Sequence, residues 1–352
     1  MSPEIMTILM FGTLMLMIAL GHPLAITLAA VATLYGLIDN GGNILPLFDL
    51  FLNNSWGIFL NYVLVAIPLF IFMAQILDRS KVSEGLFDAL YIVLGGLRGG
   101  LGMAVIVVST VFAATTGIIG ASVVAMGLMA GPALLRRGYE RGLSAGIICS
   151  SGTLGILIPP SIMLVVYGGL TGLKETSVGN LFAGAIMPGI LLSAMYLAYV
   201  AIRCTINPKL GPVIPLEDRT YSLGQKTMMT LKSFVPPFGL ILIVMGTILA
   251  GVATPTEAAA LGCLGALILA AFNKKLTWQM IVQASDSTLK TTCMIMLLFV
   301  GGKLFSVVFL SMGGGDVVAD LLLGMDVHEY VVLAIMMLVV FVMGMFIDWA
   351  AI

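Results

Sequence analysis

Apolar residues run along this chain in long stretches that short polar joints separate. Several stretches exceed the roughly 20 residues that an α-helix needs to cross a lipid bilayer. They are continuous, whereas the strands of an outer-membrane barrel alternate apolar and polar residues over about ten positions. The pattern therefore predicts an all-α polytopic membrane protein. The apolar stretches cover 5–37, 54–77, 86–135, 142–169, 180–202, 233–251, 257–272, 289–310 and 329–352.

Composition and charge narrow the class further. Of the 352 residues, 60% are hydrophobic and 9% are charged, whereas soluble domains have about 45–50% apolar and about 25% charged residues. The net charge of −1 gives no overall basic field, so nucleic acid is not expected as a partner. The four cysteines show no CxxC pairing, and His22 and His328 have no ligand-like neighbours. We therefore expect no metal centre built on these residues and no organic cofactor.

Lysine and arginine residues indicate the orientation, because they concentrate in cytoplasmic loops. The first residues carry Glu4 and no positive charge before a long apolar run, so we interpret this run as a retained span and not as a signal peptide. With the N-terminus in the cytoplasm, 5–37 crosses once, bent at 21–23, and an acidic outer loop follows. The basic residues that then face the cytoplasm are Arg79, Lys81, Arg98, Arg136, Arg137, Arg141, Lys274 and Lys275.

A re-entrant helical hairpin is predicted at about 99–135. Arg98 and Arg136 share a side, yet the residues between them are almost entirely apolar. The segment must therefore enter and return, with arms of about 15–17 residues that are short for a full span. Its middle, "ATTGIIGAS", is small and hydroxyl-bearing, and irregular backbone at such depth requires burial in protein or a wet cavity. The candidate ligands at this tip are Thr115, Thr116, Gly117, Gly120 and Ser122.

A broken helix is predicted at about 142–169, because "GTLGILIPPSIM" places two adjacent prolines in an apolar stretch. A broken membrane helix frees carbonyls that bind cations and amides that bind anions. The alternative is a proline kink without a ligand, which neighbouring helices would satisfy. The nearby hairpin favours a site, with Pro159 and Pro160 in an unwound stretch beside Thr116 and Gly117. The candidate ligands here are Ser150, Ser151, Gly152, Thr153, Pro159, Pro160 and Ser161.

The arrangement repeats with opposite polarity near the end of the sequence. Residues 330–352 resemble a hairpin arm that enters from the outside, and halves of opposite polarity are the inverted repeat of secondary transporters. Asp348 lies in this arm, close to an ion or substrate site or, alternatively, solvated near a surface. The predicted organisation is an N-terminal span and outer loop at 1–53, a first inverted repeat at 54–203, a cytoplasmic linker at 204–232, connecting spans at 233–288 and a second repeat, truncated within its hairpin, at 289–352.

Six motifs follow one another along the chain: "LVAIPLFIF" (64–72), "GGLRGGLGMAVIVVSTVFAATTGIIGAS" (95–122), "GTLGILIPPSIMLVVYG" (152–168), "LFAGAIMPGILL" (181–192), "GVATPTEAAALG" (251–262) and "GMFIDWAAI" (344–352). In this order they resemble the large membrane (permease) subunit of tripartite ATP-independent periplasmic (TRAP) transporters. The hairpin tip departs from the family's usual Ser-Gly-Ser type, since it has Thr116, Gly117 and Ile118, and Ser122 or Thr115 would supply the second hydroxyl.

The resemblance implies a sodium-coupled secondary transporter subunit of the bacterial inner membrane, working by an elevator mechanism. Sodium ions would bind at the tip and the unwound helix, at Thr116, Gly117 and Thr153. The implied partners are a small four-helix membrane subunit, a periplasmic substrate-binding protein, a small carboxylate-type substrate and membrane lipid.

Other functions remain open at this point. A stand-alone carboxylate or citrate symporter of similar architecture would need no binding protein. An intramembrane enzyme would need ligands or a nucleophile–base pair that the sequence does not offer, and a non-transporting scaffold is a third alternative. Glu257 could lie on an ion path, but its spacing from Thr254 and Pro255 favours a capping box at a helix start.

Overall fold

The computed structural model describes residues 2–80, 82–117, 119–171, 176–213, 223–324, 328–345, 347 and 349, and their regular structure is helical. The described chain also contains 3-10 turns at Tyr62–Val65 and Thr153–Ile156. The α-helices are α1 (Pro3–Ala19), α2 (Leu24–Asp39), α3 (Ile44–Phe59), α4 (Ala66–Arg79), α5 (Val82–Leu94), α6 (Gly100–Thr116), α7 (Ile119–Arg136), α8 (Arg141–Gly152), α9 (Ile162–Thr171), α10 (Val178–Ile206), α11 (Leu223–Leu249), α12 (Pro255–Phe272), α13 (Trp278–Ser311), α14 (Gly314–Leu323) and α15 (Glu329–Met343).

Five helical segments of the described chain are long and apolar enough to cross a membrane. Such a segment needs about 20 predominantly apolar residues, because the hydrocarbon core is about 30 Å thick. The prediction of an all-α polytopic membrane protein is therefore confirmed. The segments are Tyr62–Arg79, Val178–Ile206, Gly224–Leu249, Pro255–Phe272 and Trp278–Ser311.

The chain forms two compact units, and the first combines residues 1–61 with 291–352. In this unit the predicted single crossing of 5–37 is wrong, because the segment forms two helices that fold back on each other. Gly21 has a φ of +82°, and its amide and the next one donate to carbonyls of the last turn of α1. Pro23 then directly precedes the first residue of α2. The hydroxyl groups of Thr13 and Tyr35 meet at 2.8 Å across the two helices.

The predicted outer loop after α2 is also partly wrong, because most of it forms α3. Asn43 caps this helix, and its side chain accepts a hydrogen bond from the Leu45 amide at 3.1 Å. Leu47 is buried against Gly36 of α2, where a Cβ atom would lie 2.5 Å from a Leu47 methyl carbon. The apolar positions of this loop therefore pack inside the first unit.

The second unit covers 62–290, and α4 packs closely against α12 in its core. At Gly262 an added Cβ would lie 2.6 Å from the Met73 sulfur, so any larger residue would require the Met73 side chain to shift. The Cys263 thiol donates to the Leu69 carbonyl at 3.0 Å, and no described residue of the chain joins it in a disulfide. These contacts hold α12 beside α4 over several turns.

The start of α12 is a capping box, as the sequence predicted. The Thr254 hydroxyl accepts from the Glu257 amide at 3.4 Å, and the Glu257 carboxylate accepts from the Thr254 amide at 2.8 Å. Pro255 occupies the first helical turn, where an amide would have no helical partner. The carboxylate of Glu257 thus serves the helix terminus.

The end of the α6–α7 pair that lies opposite Gly117 is called the base of the hairpin here. It is held by Tyr139, a buried residue between α7 and α8. The Tyr139 hydroxyl accepts hydrogen bonds from the amides of Leu101 at 3.2 Å and Gly102 at 3.4 Å, which belong to the first turn of α6. The Gly99 amide donates to the Gly211 carbonyl at 3.1 Å, beyond the end of α10. Burial raises the pKa of Tyr139 to about 12. The base is therefore held by a neutral phenol.

Candidate functional site

The predicted hairpin tip is a turn at Gly117 between two packed helices. The helix α6 ends at Thr116, Gly117 has a φ of +61°, and α7 begins at Ile119. A residue with a side chain rarely adopts this left-handed conformation, so glycine is required here. A Cβ atom on Gly117 would lie 3.0 Å from Cγ1 and 3.1 Å from the amide nitrogen of Ile162. The tip therefore touches the first residue of α9.

The predicted break lies between the 3-10 turn at Thr153–Ile156 and the start of α9 at Ile162. Pro159 and Pro160, which a cis peptide bond joins, are both buried in this non-helical stretch. Since proline has no amide hydrogen, the carbonyls four residues earlier, those of Gly155 and Ile156, cannot receive their helical hydrogen bonds. The break thus frees acceptors directly behind the tip.

One of these two carbonyls has a replacement donor, and it comes from a predicted site residue. The Ser161 side chain is completely buried and its hydroxyl donates to the Ile156 carbonyl. Gly155 was not among the predicted ligands, although its carbonyl is the second acceptor that the break frees. The sequence feature that could have identified this carbonyl is its position four residues before the first proline.

A second close contact joins the end of α8 to the start of α7. A Cβ atom on Gly152 would lie 3.1 Å from both the Cα atom and the amide nitrogen of Val123. The preceding residue, Ser151, is fully buried and its hydroxyl donates to Ser109 Oγ of α6 at 3.0 Å. Ser122, next to Val123, is also buried. Both arms of the hairpin are therefore packed against the broken helix.

The remaining predicted ligands are placed differently. The hydroxyl of Thr153 is exposed and donates to the Ser150 carbonyl at 2.7 Å. The Ser150 hydroxyl donates to the Ile147 carbonyl at 3.4 Å, so both side chains serve their own helix. Gly120 is exposed, with open space around it. The side chains of Thr115 and Thr116, and Asp348 altogether, lie outside the part of the chain that the structure describes.

The electrostatics of this arrangement suit ions of both signs. The helix α8 directs the partial negative charge of its C-terminal end towards the break, and α9 begins with the partial positive charge of its N-terminal end. Gly117, Ser151 and Ser161 are buried beside it, so a bound ion would be held away from bulk water. The use of these residues as sodium or substrate ligands stays a prediction.

Buried irregular backbone and discontinuous helices within a multi-helix membrane protein are typical of secondary transporters. The family described as "Tripartite ATP-independent periplasmic transporter, DctM component" matches residues 11–352, and the chain belongs to this family. The resemblance found in the motifs is thereby confirmed, and the matched family is one of transporter components, as expected, and not of enzymes.

Named relatives agree with this assignment. The chain is 32% identical over 274 residues to the C4-dicarboxylate TRAP transporter large permease protein DctM of Vibrio cholerae, covering 77% of this chain and 56% of the relative. The DctM protein of Pseudomonas aeruginosa is 32% identical over 298 residues, 83% of this chain and 66% of the relative. The ectoine TRAP transporter large permease protein TeaC of Halomonas elongata is 31% identical over 302 residues, 86% and 68% of the two chains. The chain thus spans about half to two-thirds of the length of these relatives.

Proposed function

We propose that the chain is the large permease subunit of a sodium-coupled importer of small carboxylate-type solutes. The observation that supports this most strongly is the contact of Gly117 with Ile162, because it brings the helical turn and the proline break together. The names of the relatives support the substrate class, since C4-dicarboxylates and ectoine both bear carboxylates.

In this proposal a sodium ion binds carbonyl and hydroxyl oxygens around the tip, including the carbonyl of Gly155. The cation offsets part of the cost of bringing a carboxylate into a low-dielectric site. The substrate carboxylate would meet amides at the start of α9, near Ser161, where the helix dipole favours negative charge. Ion and substrate would therefore bind cooperatively.

The proposed transport step moves the hairpin and the broken helix together, as in an elevator. The contacts of Gly117 with Ile162, of Gly152 with Val123 and of Ser151 with Ser109 support such a joint movement. Each involves atoms so close that sliding one segment past the other would break it. We further propose a small four-helix membrane subunit and a periplasmic binding protein as partners, in accord with the tripartite description of the family.

The test is uptake into proteoliposomes by the full-length permease with its small subunit and binding protein. We expect uptake of a labelled C4-dicarboxylate or ectoine to require an inward sodium gradient and the binding protein. Uptake that a potassium gradient supports equally would overturn sodium coupling. Uptake without the binding protein would favour the stand-alone symporter instead.

A variant of the tip links this test to the structure. Gly117→Ala places a Cβ 3.0 Å from Ile162 in a left-handed conformation, a strain of about 1–2 kcal/mol, and we expect sodium-driven uptake to fall about tenfold. The matched control is Gly127→Ala on α7, where a Cβ meets nothing within 4 Å. Equal uptake by the two variants, at equal membrane abundance, would contradict the site.

A further inference from the structure

A cavity of about 590 Å³ lies in the second unit, away from the proline break. Its walls come from the α4–α5 junction, the first half of α11 and the end of α12. The charged residues among its described lining are Lys232 and Lys275, and both side chains are exposed and so reachable from outside. Two ammonium groups at one cavity favour the binding of an anion.

Two residues of the cavity lining have carbonyls that proline leaves without the usual helical donor. Pro236 and Pro237 lie inside α11 and also line the cavity. Because prolines donate no hydrogen bond, the carbonyls of Lys232 and Ser233, four residues earlier, have no helical partner there. Both of these residues line the cavity. A ligand with hydroxyl groups could therefore donate to them while its anionic group meets the lysines.

The position of the cavity corresponds to the depth of lipid headgroups. Lys232 directly precedes the apolar stretch 233–251, and Lys275 closely follows the stretch 257–272, so both mark the same boundary. Trp278 begins α13 with 78% of its surface exposed, and exposed tryptophans are typical of the membrane–water interface. The charge distribution predicts that this boundary faces the cytoplasm.

The remaining wall is apolar. Phe272 lines the cavity and is 80% exposed, and Leu269 and Val82 add aliphatic surface beside the proline rings. A free inorganic anion would leave this surface uncovered, whereas acyl chains would cover it. Basic pockets between helices on the cytoplasmic side are suited to anionic lipid headgroups.

We propose that this cavity binds one anionic phospholipid with a hydroxylated headgroup, of the phosphatidylglycerol type. The phosphate pairs with Lys232 and Lys275, the glycerol hydroxyls donate to the carbonyls of Lys232 and Ser233, and an acyl chain lies along Phe272. The lipid joins α11 to the end of α12, and the proposal does not depend on sodium coupling or on the substrate.

The experiment measures lipid binding to the full-length transporter complex by native mass spectrometry, with phosphatidylglycerol, phosphatidylethanolamine or inorganic phosphate added separately. Phosphatidylglycerol should remain bound at one site. Each lysine near the membrane surface contributes about fivefold in affinity, so Lys232→Gln with Lys275→Gln should weaken binding about 25-fold. The readout is binding, so its failure and a failure of sodium-driven uptake are distinguishable.

The matched control is Lys226→Gln with Lys274→Gln. These lysines belong to the same two regions of the chain, and removing them changes the net charge equally, but they are not among the residues that line the cavity. The control should keep most of the bound phosphatidylglycerol. Equal weakening by the two double variants, equal retention of phosphatidylethanolamine, or occupation by inorganic phosphate alone would each overturn the lipid site.

Discussion

Two proline pairs lie in apolar parts of the chain, and the backbone around them differs. Around Pro159 and Pro160 the chain is non-helical from the 3-10 turn to α9. Around Pro236 and Pro237 it remains helical, within α11, which is 27 residues long in total. Each pair removes two helical hydrogen bonds. A proline pair in an apolar stretch therefore does not by itself predict a broken helix.

The flanking residues differ in a direction that favours this outcome. Gly152 and Gly155 precede the first pair, and glycine in a helix costs about 1 kcal/mol relative to alanine. The second pair is bracketed by Phe234 and Phe238, whose rings lie 5.1 Å apart on one face of the helix. This contact at i, i+4 spacing stabilises the helix across the prolines.

The largest expected difference between the two pairs concerns transport. Changing Pro159 and Pro160 to Ala restores amide donors for the carbonyls of Gly155 and Ile156, which would then compete with a cation. Contacts of polar groups with a charge are worth about 1.5–3 kcal/mol, so we expect uptake to fall at least about tenfold. It is measured as the initial rate in proteoliposomes at equal protein amounts.

The control is the same double change at Pro236 and Pro237. We expect it to lower the amount of bound phosphatidylglycerol and to reduce uptake less than the first change does. If the two double variants lost uptake equally, the proline pairs would have equivalent roles, and the first would no longer mark a special site.

A smaller effect, on thermal stability, is expected from a change at Ser161, which directly follows the first proline pair. Ser161→Ala removes the buried hydroxyl that donates to the Ile156 carbonyl. An unsatisfied buried acceptor costs about 1–3 kcal/mol, so thermal unfolding in detergent should occur at a lower temperature. Ser233→Ala, beside the second pair and only partly buried, should change stability by less than about 0.5 kcal/mol. Equal shifts of the unfolding temperature in the two variants would contradict a special contribution of the Ser161 hydrogen bond to stability.

The smallest effect is expected for a third proline context, at the start of α12. Pro255 occupies a position whose amide has no helical partner, so Pro255→Ala should change the free energy of unfolding by less than about 0.5 kcal/mol. Thr254→Ala removes the cap and should cost about 1 kcal/mol. The same thermal measurement checks both. A larger loss for Pro255→Ala than for Thr254→Ala would reverse this order.

The sequence indicated the break and the tip because their signals are local. Proline excludes a helical hydrogen bond wherever it stands, and the charge pattern required a turn between Arg98 and Arg136. The contact between tip and break was expected only as proximity. Its atoms, at Gly117 and Ile162, depend on how the helices pack, which no local pattern encodes.

The fold-back of α1 on α2 was missed for a related reason. Gly21 and Pro23 permit both a bend and a complete reversal, and the choice depends on tertiary contacts such as the one between Thr13 and Tyr35. The apolar length of 5–37 fits one tilted span as well as two short helices. Apolar content alone therefore cannot count crossings.

The Tyr139 phenol at the base of the hairpin determines how this part of the molecule responds to pH. With the pKa of Tyr139 raised to about 12, its contribution to stability is fully present below about pH 10, the ordinary tyrosine value. It is lost only as the pH rises towards 12, so acidification of the cell leaves this joint intact. A displacement of Gly211, which follows α10, would act on Gly99 through the hydrogen bond between the Gly99 amide and the Gly211 carbonyl. It would then travel along the 17 residues of α6, a rod of about 26 Å, and arrive at Gly117.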